Sequence, residues 1–350
     1  MKGYAYLGEG KTGWIEKEKP NASGDAVLIR PMLVSPCTSD VHNAEFDYVK
    51  PGRILGHEGI GEIVEVGELV KDFKIGDIVA VSPVSPDWNS VMAQKGSPQH
   101  FNGPLSGNLI SNRVDGLFAE YALIPYAEAN IAKVPDDISP EAAVMTTDMM
   151  NTGLTGAEMA DISFGDTVVV LGIGPVGLMA VAGARLQGAG RIIAIGSRPV
   201  CVEAAKRYGA TDIINYKEGD IAKQVFTLTE KKGADRVIVA GGDEHALNQA
   251  VSMVRYGGTI SNINYFTTDK TLDISNIRWG FGMGNKTIRG SLTHGGRARL
   301  EALMELIRYG RIDPQPLITH RFEGMDGIPE AFRMMSEKPG DMIKTCVKLG

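Results

Sequence analysis

Apolar and polar positions along this chain follow two rhythms. Over roughly the first 150 residues, short β-branched and aromatic runs (DAVLIRPMLV, IGEIVEVG, DIVAVSPV, FAEYALIP) are bounded by Gly, Pro, Asn and Asp, which predicts strands closed by turns. Between the last two lies an irregular stretch, 85–116, rich in Ser, Asn, Gly and Pro. A loop of that length in a compact domain is usually functional or an oligomer contact. Residues 140–160 then read as one helix, with Ser139 as N-cap and Pro140 at its first position. After that, strands (TVVVLGIG, RIIAIGS, ATDIINY, DRVIVAGG, GTISNINYF) alternate with helical patterns such as PVGLMAVAGARLQ and CVEAAKRYG. This alternation predicts βαβ units and a parallel sheet with helices on both faces. A helix at 297–309, another near 328–335 and a last strand near 342–349 follow. The fold class is therefore α/β: a β-rich domain over 1–152 and 293–350, into which a doubly wound domain over 153–292 is inserted.

Composition narrows the function. The chain has 350 residues, 43% hydrophobic and 22% charged, which excludes disorder, collagen and coiled coil as its main theme. A net charge of -6 without a long basic run excludes an extended nucleic-acid or anionic-membrane surface. Three well-separated cysteines, Cys37, Cys201 and Cys346, build no disulfide framework. The N-terminus has no apolar targeting segment, and the longest apolar stretch, 167–184, is broken by four glycines and a proline. A cytoplasmic protein without a membrane span is expected.

The clearest local chemistry is VVVLGIGPVGLMAV, in which Gly172, Gly174 and Gly177 stand in the order G-x-G-x-x-G after a strand and at the start of a helix. Gly172 permits a tight turn, Gly174 lets a pyrophosphate approach the backbone, and Gly177 lets helix and strand pack closely. With Pro175 and Val176 these residues place the phosphates at the helix N-terminus. At the end of the next strand, where NAD sites carry Asp or Glu, this chain has Gly196, Ser197 and Arg198. No acid repels a 2′-phosphate there, while Ser197 and Arg198 can donate to one and Tyr216 can pack nearby. NADP is the expected coenzyme.

A second group of residues suits a metal. Cys37 in PCTSD, His57 and Glu58 in LGHEG, and Asp148 supply the thiolate, imidazole and carboxylate donors of a catalytic zinc, which takes about three protein ligands and leaves one position open. Each alone would more often be a buried thiol or a hydrogen-bonded side chain, and no periodicity brings such distant positions together.

The chain resembles a zinc-dependent medium-chain alcohol dehydrogenase over its whole length, on GHEGIGEIVEVG followed by KIGDIVAV. Within that family it closely resembles the tetrameric NADP-dependent secondary-alcohol dehydrogenases of anaerobic bacteria and protozoa. The stretches PCTSDVH, EAAVMTTDMM, VLGIGPVGLMAVAGA, IGSRPVCVEAAKRYGATDIINY and INYF carry that similarity. The resemblance implies a GroES-like catalytic domain beside a Rossmann domain, and a homotetramer. It implies Cys37, His57 and Asp148 as ligands of one catalytic zinc, with Glu58 beside the metal. It implies Asn264 and Tyr265 near the nicotinamide and Lys338 near the cofactor ribose. Ser39, two residues after Cys37, is read as the first proton acceptor and His42 as the carrier toward solvent, against plain roles as a turn hydroxyl and a hydrogen-bonding imidazole. Asp40 could orient a neighbour and is given no catalytic role. Many relatives hold a structural zinc on four clustered cysteines; this chain has no cysteine between Cys37 and Cys201, so that site is not expected.

The implied reaction is reversible hydride transfer between an alcohol or ketone and NADP(H), with zinc as Lewis acid on the substrate oxygen. Asn108 stands where the subgroup usually has Trp in its pocket wall, and Pro83 and Thr293 lie in stretches that also depart. Small-ketone preference therefore transfers weakly. A polyol or diol dehydrogenase or an aldehyde reductase on the same scaffold is the second reading, and a non-catalytic NADP-binding structural or sensor protein the third.

Overall fold

The computed structural model describes residues 1–267 and 271–350, which form two compact units: Met1–Asn151 with Thr293–Gly350, and Thr152–Leu292. No helix among the described residues is long and apolar enough to cross a membrane.

The first unit is built on a seven-stranded sheet. Its order is Ile318–Glu323, Lys344–Lys348, Val27–Val34, Gly59–Val66, Ile78–Val81, Ile131–Lys133, with Ala122–Ile124 also pairing on Val27–Val34. Val27 and Ile29, then Val79 and Val81, alternate along their strands and bury one face in the core with Ile63 and Phe118. The pairing register sets the site. Val34 lies opposite Gly59, and Val347 opposite Val34, so three strand ends deliver 35–37, 57–58 and 344–345 to one place. Backbone and side-chain bonds lock them: Ser35 N–H donates to the Glu58 carbonyl at 3.0 Å, and Ser35 Oγ to the Thr345 carbonyl at 2.6 Å.

Two elements differ from the pattern reading. An N-terminal hairpin, Lys2–Gly8 with Lys11–Glu16, forms where the sequence shows no apolar alternation. Its turn residues Glu9 and Gly10 have φ of 53° and 73°, the left-handed conformation that matches a hairpin's twist. The single helix expected over 140–160 is two, Pro140–Thr147 and Met149–Ala160, interrupted at Asp148 (φ −131°, ψ −60°). Thr146 and Thr147 donate their hydroxyls back to the carbonyls of Ala143 and Val144, competing with the backbone ladder at the break. Ser139 caps the first helix as expected, accepting from Ala142 N–H.

The second unit is a six-stranded sheet whose neighbours are all parallel. Its order is Asp212–Ile214, Arg191–Ile195, Thr167–Leu171, Ala234–Val239, Val254–Asn262, Thr287–Gly290. Counted within the unit this is 3-2-1-4-5-6, the doubly wound dinucleotide-binding order. Val168, Val169 and Val170 are all buried, as strands covered on both faces must be. The order reverses between Thr167–Leu171 and Ala234–Val239, and ligands of such sheets bind outside the carboxyl ends of the strands at that point.

Candidate active site

In the first unit, Cys37, His57, Glu58 and Asp148 each offer a donor atom, all within 4.8 Å of one another. Cys37 follows the strand Val27–Val34 and caps the helix Thr38–Glu45. His57 and Glu58 precede the strand Gly59–Val66, and Asp148 turns in from the helix break. Asp148 Oδ2 lies 3.3 Å from His57 Nε2 and 3.8 Å from Cys37 Sγ; Glu58 Oε1 is 3.9 Å from His57 Nε2. Ser39 Oγ, two residues into the helix, stands 3.3 Å from the same His57 nitrogen.

Asp40, read from sequence as able to orient a neighbour, lies against His57. Fully buried, it accepts from Cys37 N–H at 3.1 Å, Gly56 N–H at 3.0 Å and Ser111 Oγ at 3.1 Å, and its Oδ1 lies 3.0 Å from His57 Nδ1. A bond to Nδ1 fixes the ring's tautomer and leaves Nε2 facing the donor cluster, the usual support of a metal-binding histidine. Its local signal was present: an acid three residues after a helix cap, reaching back to the cap's N–H.

Lys344 carried no such signal. Its side chain and that of Glu58 are both fully buried, with Nζ 2.7 Å from Glu58 Oε1 and donating to the Pro36 carbonyl at 2.8 Å. Glu58 Oε2 has no partner and is buried. An unpartnered carboxylate oxygen beside a thiol, an imidazole and a second carboxylate fits a bound cation.

The charges agree. Burial pushes the Glu58 carboxyl up to about 7 against the pull of Lys344, and burial raises the Cys37 thiol, again against Lys344. Burial works against a charged His57, but Asp40, Asp148 and Cys37 outweigh it and hold the imidazole well above its usual range. Lys344 is held above the usual lysine range by Glu58 despite burial. Without a cation the cluster gathers protons; a metal would displace them.

In the second unit a groove of about 680 Å³ opens at the carboxyl ends of the strands. It is lined by Gly172, Gly174, Gly196, Ser197, Arg198 and Tyr216, all expected from sequence. Gly172 has φ 89°, and a Cβ on Gly177 would stand 1.8 Å from the Gly172 carbonyl oxygen, so turn and helix close only with glycine. A Cβ on Gly174, the N-cap of Pro175–Leu186, would meet nothing within 4 Å; the space beside it is open for a phosphate. Pro175 and Val176 form the first turn of that helix.

The remaining expected residues are dispersed. His42 lies one helical turn beyond Ser39, its ring 5.7 Å from Phe46 and its Nδ1 buried without a partner. Burial and the Lys338 charge lower its pKa. Lys338 ends the helix Gly327–Glu337 with φ 50° in the first unit. Asn264 and Tyr265 follow the fifth parallel strand; Asn264 Nδ2 donates to the Gly242 carbonyl at 3.1 Å and Tyr265 is half exposed. Asn108 is half-buried and bridged through its backbone to Val84.

Comparison with known proteins matches residues 23–136 to the alcohol dehydrogenase GroES-like domain and 175–308 to the zinc-binding dehydrogenase domain. The chain is 54% identical to the NADP-dependent isopropanol dehydrogenase of Thermoanaerobacter brockii and 55% identical to that of Clostridium beijerinckii, covering 100% of both chains in each case. It belongs to the zinc-dependent alcohol dehydrogenase family. The isopropanol dehydrogenase of Entamoeba histolytica is 50% identical over 100% of this chain and 96% of its own. Among solved structures, the alcohol dehydrogenase TADH from Thermus sp. ATN1 superposes with a TM-score of 0.87 at 26% identity, covering 100% of both chains. Membership establishes an oxidoreductase with a GroES-like and a Rossmann-type domain, and the buried donor cluster and the dinucleotide groove are the places where this dehydrogenase's chemistry must be sought.

Proposed function

We propose that this dehydrogenase oxidises secondary alcohols and reduces the matching ketones, with NADP as hydride carrier and one zinc per chain. The observation that carries the reading is the buried cluster of Cys37, His57, Asp148 and Glu58, a donor set for catalytic zinc, in a chain 54–55% identical to NADP-dependent isopropanol dehydrogenases. Cys37, His57 and Asp148 would hold the metal, with Glu58 in reach of an exchange. Zinc, when bound, supplies Lewis-acid polarisation of the substrate oxygen.

The chain's own residues do the rest. Asp40 orients His57. Ser39 Oγ stands at the cluster to take the alcohol's O–H proton. His42, held neutral by burial and Lys338, can receive that proton next and pass it to solvent. NADP, held in the groove lined by Gly172, Gly174, Ser197 and Arg198, would supply the hydride acceptor, so that alcohol and NADP would become ketone, NADPH and one proton. Asn264 and Tyr265 serve the nicotinamide end and Lys338 the ribose in this reading. The stretch 85–116 supplies no cysteine for a second zinc. A cytoplasmic homotetramer is proposed with it, to be read from sedimentation of the purified enzyme.

NADPH oxidation across ketones, aldehydes and diols, with NADH in parallel, tests the reading. One charge-assisted bond from Arg198 contributes about 1.5–3 kcal/mol, so NADPH should be favoured by roughly 10- to 200-fold in kcat/KM. Gly196→Asp should lower use of NADPH and raise use of NADH. Its Cβ would stand 2.2 Å from Ile173 Cγ1, so Gly196→Ala is needed to separate the steric effect from the charge. Should both substitutions shift the coenzyme ratio equally, electrostatics would not be the cause.

Asn108 gives a second test. If it opens the pocket wall, Asn108→Trp should narrow the range toward small ketones, with kcat/KM for bulky ones falling about tenfold or more. An unchanged substrate profile would place Asn108 outside the substrate site.

A further inference from the structure

The sequence offers the 2′-phosphate a single cation, Arg198. The fold brings a second to the same groove. Arg278 sits on the short helix Asn276–Trp279, between the fifth and sixth parallel strands, and lines the dinucleotide groove together with Ser197, Arg198, Tyr216 and Asp220. It also lines a neighbouring concavity of about 740 Å³, again beside Asp220 and Ala222. Arg278 therefore stands where the groove meets the chain that follows Tyr216. Neither Asn264 nor Tyr265, assigned to the nicotinamide, lines that groove.

The backbone of Arg278 is tied down while its head is not. Its N–H donates to Ser275 Oγ at 3.3 Å and its carbonyl accepts from Lys286 Nζ at 2.8 Å. The guanidinium has no carboxylate or carbonyl partner among the described residues and is exposed. The two groove carboxylates are turned onto backbone donors: Asp220 Oδ1 accepts from Lys223 N–H at 3.1 Å, and Asp243 Oδ1 from His245 N–H at 3.0 Å. A guanidinium anchored in this way, without an acidic partner among the described residues and in a groove suited to a polyanion, is a recognition element, and its planar fork suits a phosphate better than an ammonium does.

We infer that Arg278 is a second specificity-determining cation for the 2′-phosphate of NADP, acting with Arg198 from the opposite end of the sheet's connections. The inference rests on the coenzyme reading above. It changes one expectation: Arg198→Ala alone should keep part of the NADP preference, and only loss of both arginines should abolish it.

Calorimetric titration of the full-length enzyme with adenosine 2′,5′-bisphosphate and adenosine 5′-monophosphate isolates this end of the coenzyme. Arg278→Ala should weaken the bisphosphate by about tenfold, one charge-assisted contact at a solvated site, and leave the monophosphate within about twofold. Arg278→Lys should recover part of the loss, and Arg198→Ala with Arg278→Ala should bring the two ligands to similar affinity. In turnover, Arg278→Ala should raise KM for NADPH with little change for NADH. Unchanged bisphosphate binding in Arg278→Ala would overturn the inference, as would an equal loss for both nucleotides, which would put Arg278 on the adenine or 5′-phosphate. Wild-type enzyme that bound both ligands equally would instead overturn the NADP reading itself.

Discussion

Cys37→Ser and His57→Ala should each strip the metal and lower kcat by about a thousandfold or more, because Lewis-acid stabilisation of the substrate oxygen accounts for several kcal/mol of the barrier. Atomic absorption should find about one zinc per wild-type chain and much less in either variant. NADPH should still bind, since every residue lining the dinucleotide groove belongs to 152–292 and every donor of the cluster to the other unit. Near-normal kcat in either variant would refute the ligand assignment. Asp40→Asn should act more mildly, about 10- to 100-fold in zinc affinity, because it touches only His57. Zinc should also dissociate more readily as pH falls, since His57, held well above its usual range, and Glu58, near 7, then compete as proton acceptors.

Above about pH 7, Lys344→Met should cost up to about 3–5 kcal/mol of stability, because Glu58 then loses the cation that lets it ionise while buried. Urea unfolding of the metal-stripped enzyme reads this as a lower midpoint at unchanged slope. Lys344→Met with Glu58→Gln should recover most of the loss. The sign of the pH dependence follows from the raised Glu58 carboxyl. In the folded chain it binds a proton up to about 7, above the ordinary carboxyl value of 4.5, so the folded state carries more protons than the unfolded state in that window. Stability therefore falls as pH rises from about 4.5 through 7, and without Lys344 the fall continues to higher pH. A Lys344→Met penalty that did not grow as pH rises above about 7 would show that Glu58 is not the buried group left without a partner.

The nucleotide half of this protein was legible in its sequence because its determinants are local. Glycine spacing, the apolar strand before it, the helix after it and the residues ending the next strand all lie within one βαβ unit, and backbone sterics at Gly172 and Gly177 need nothing from elsewhere. The alternating βαβ rhythm likewise determined the parallel sheet, since strands covered on both faces must be apolar throughout. Arg278 escaped because it reaches the groove from about 80 residues beyond Arg198, through a four-residue helix that no periodicity marks.

The metal half followed from resemblance, and its geometry belongs to the tertiary structure. Cys37 and Asp148 are 111 positions apart, and Glu58 and Lys344 are 286 apart. What joins them is strand register: Val34 opposite Gly59 and Val347 opposite Val34 bring three chain ends together, and a slip of one residue would turn each side chain to the other face. Helical pattern over 140–160 is continuous, yet Asp148 reaches the cluster only because the ladder breaks there, at two threonines whose hydroxyls bond backward. Sequence by itself settled which donor types were available and which half carries the dinucleotide-binding motif. Which donors meet, and that a buried lysine sits against one of them, was decided by long-range pairing, whose free energy depends on partners that no local window of sequence contains.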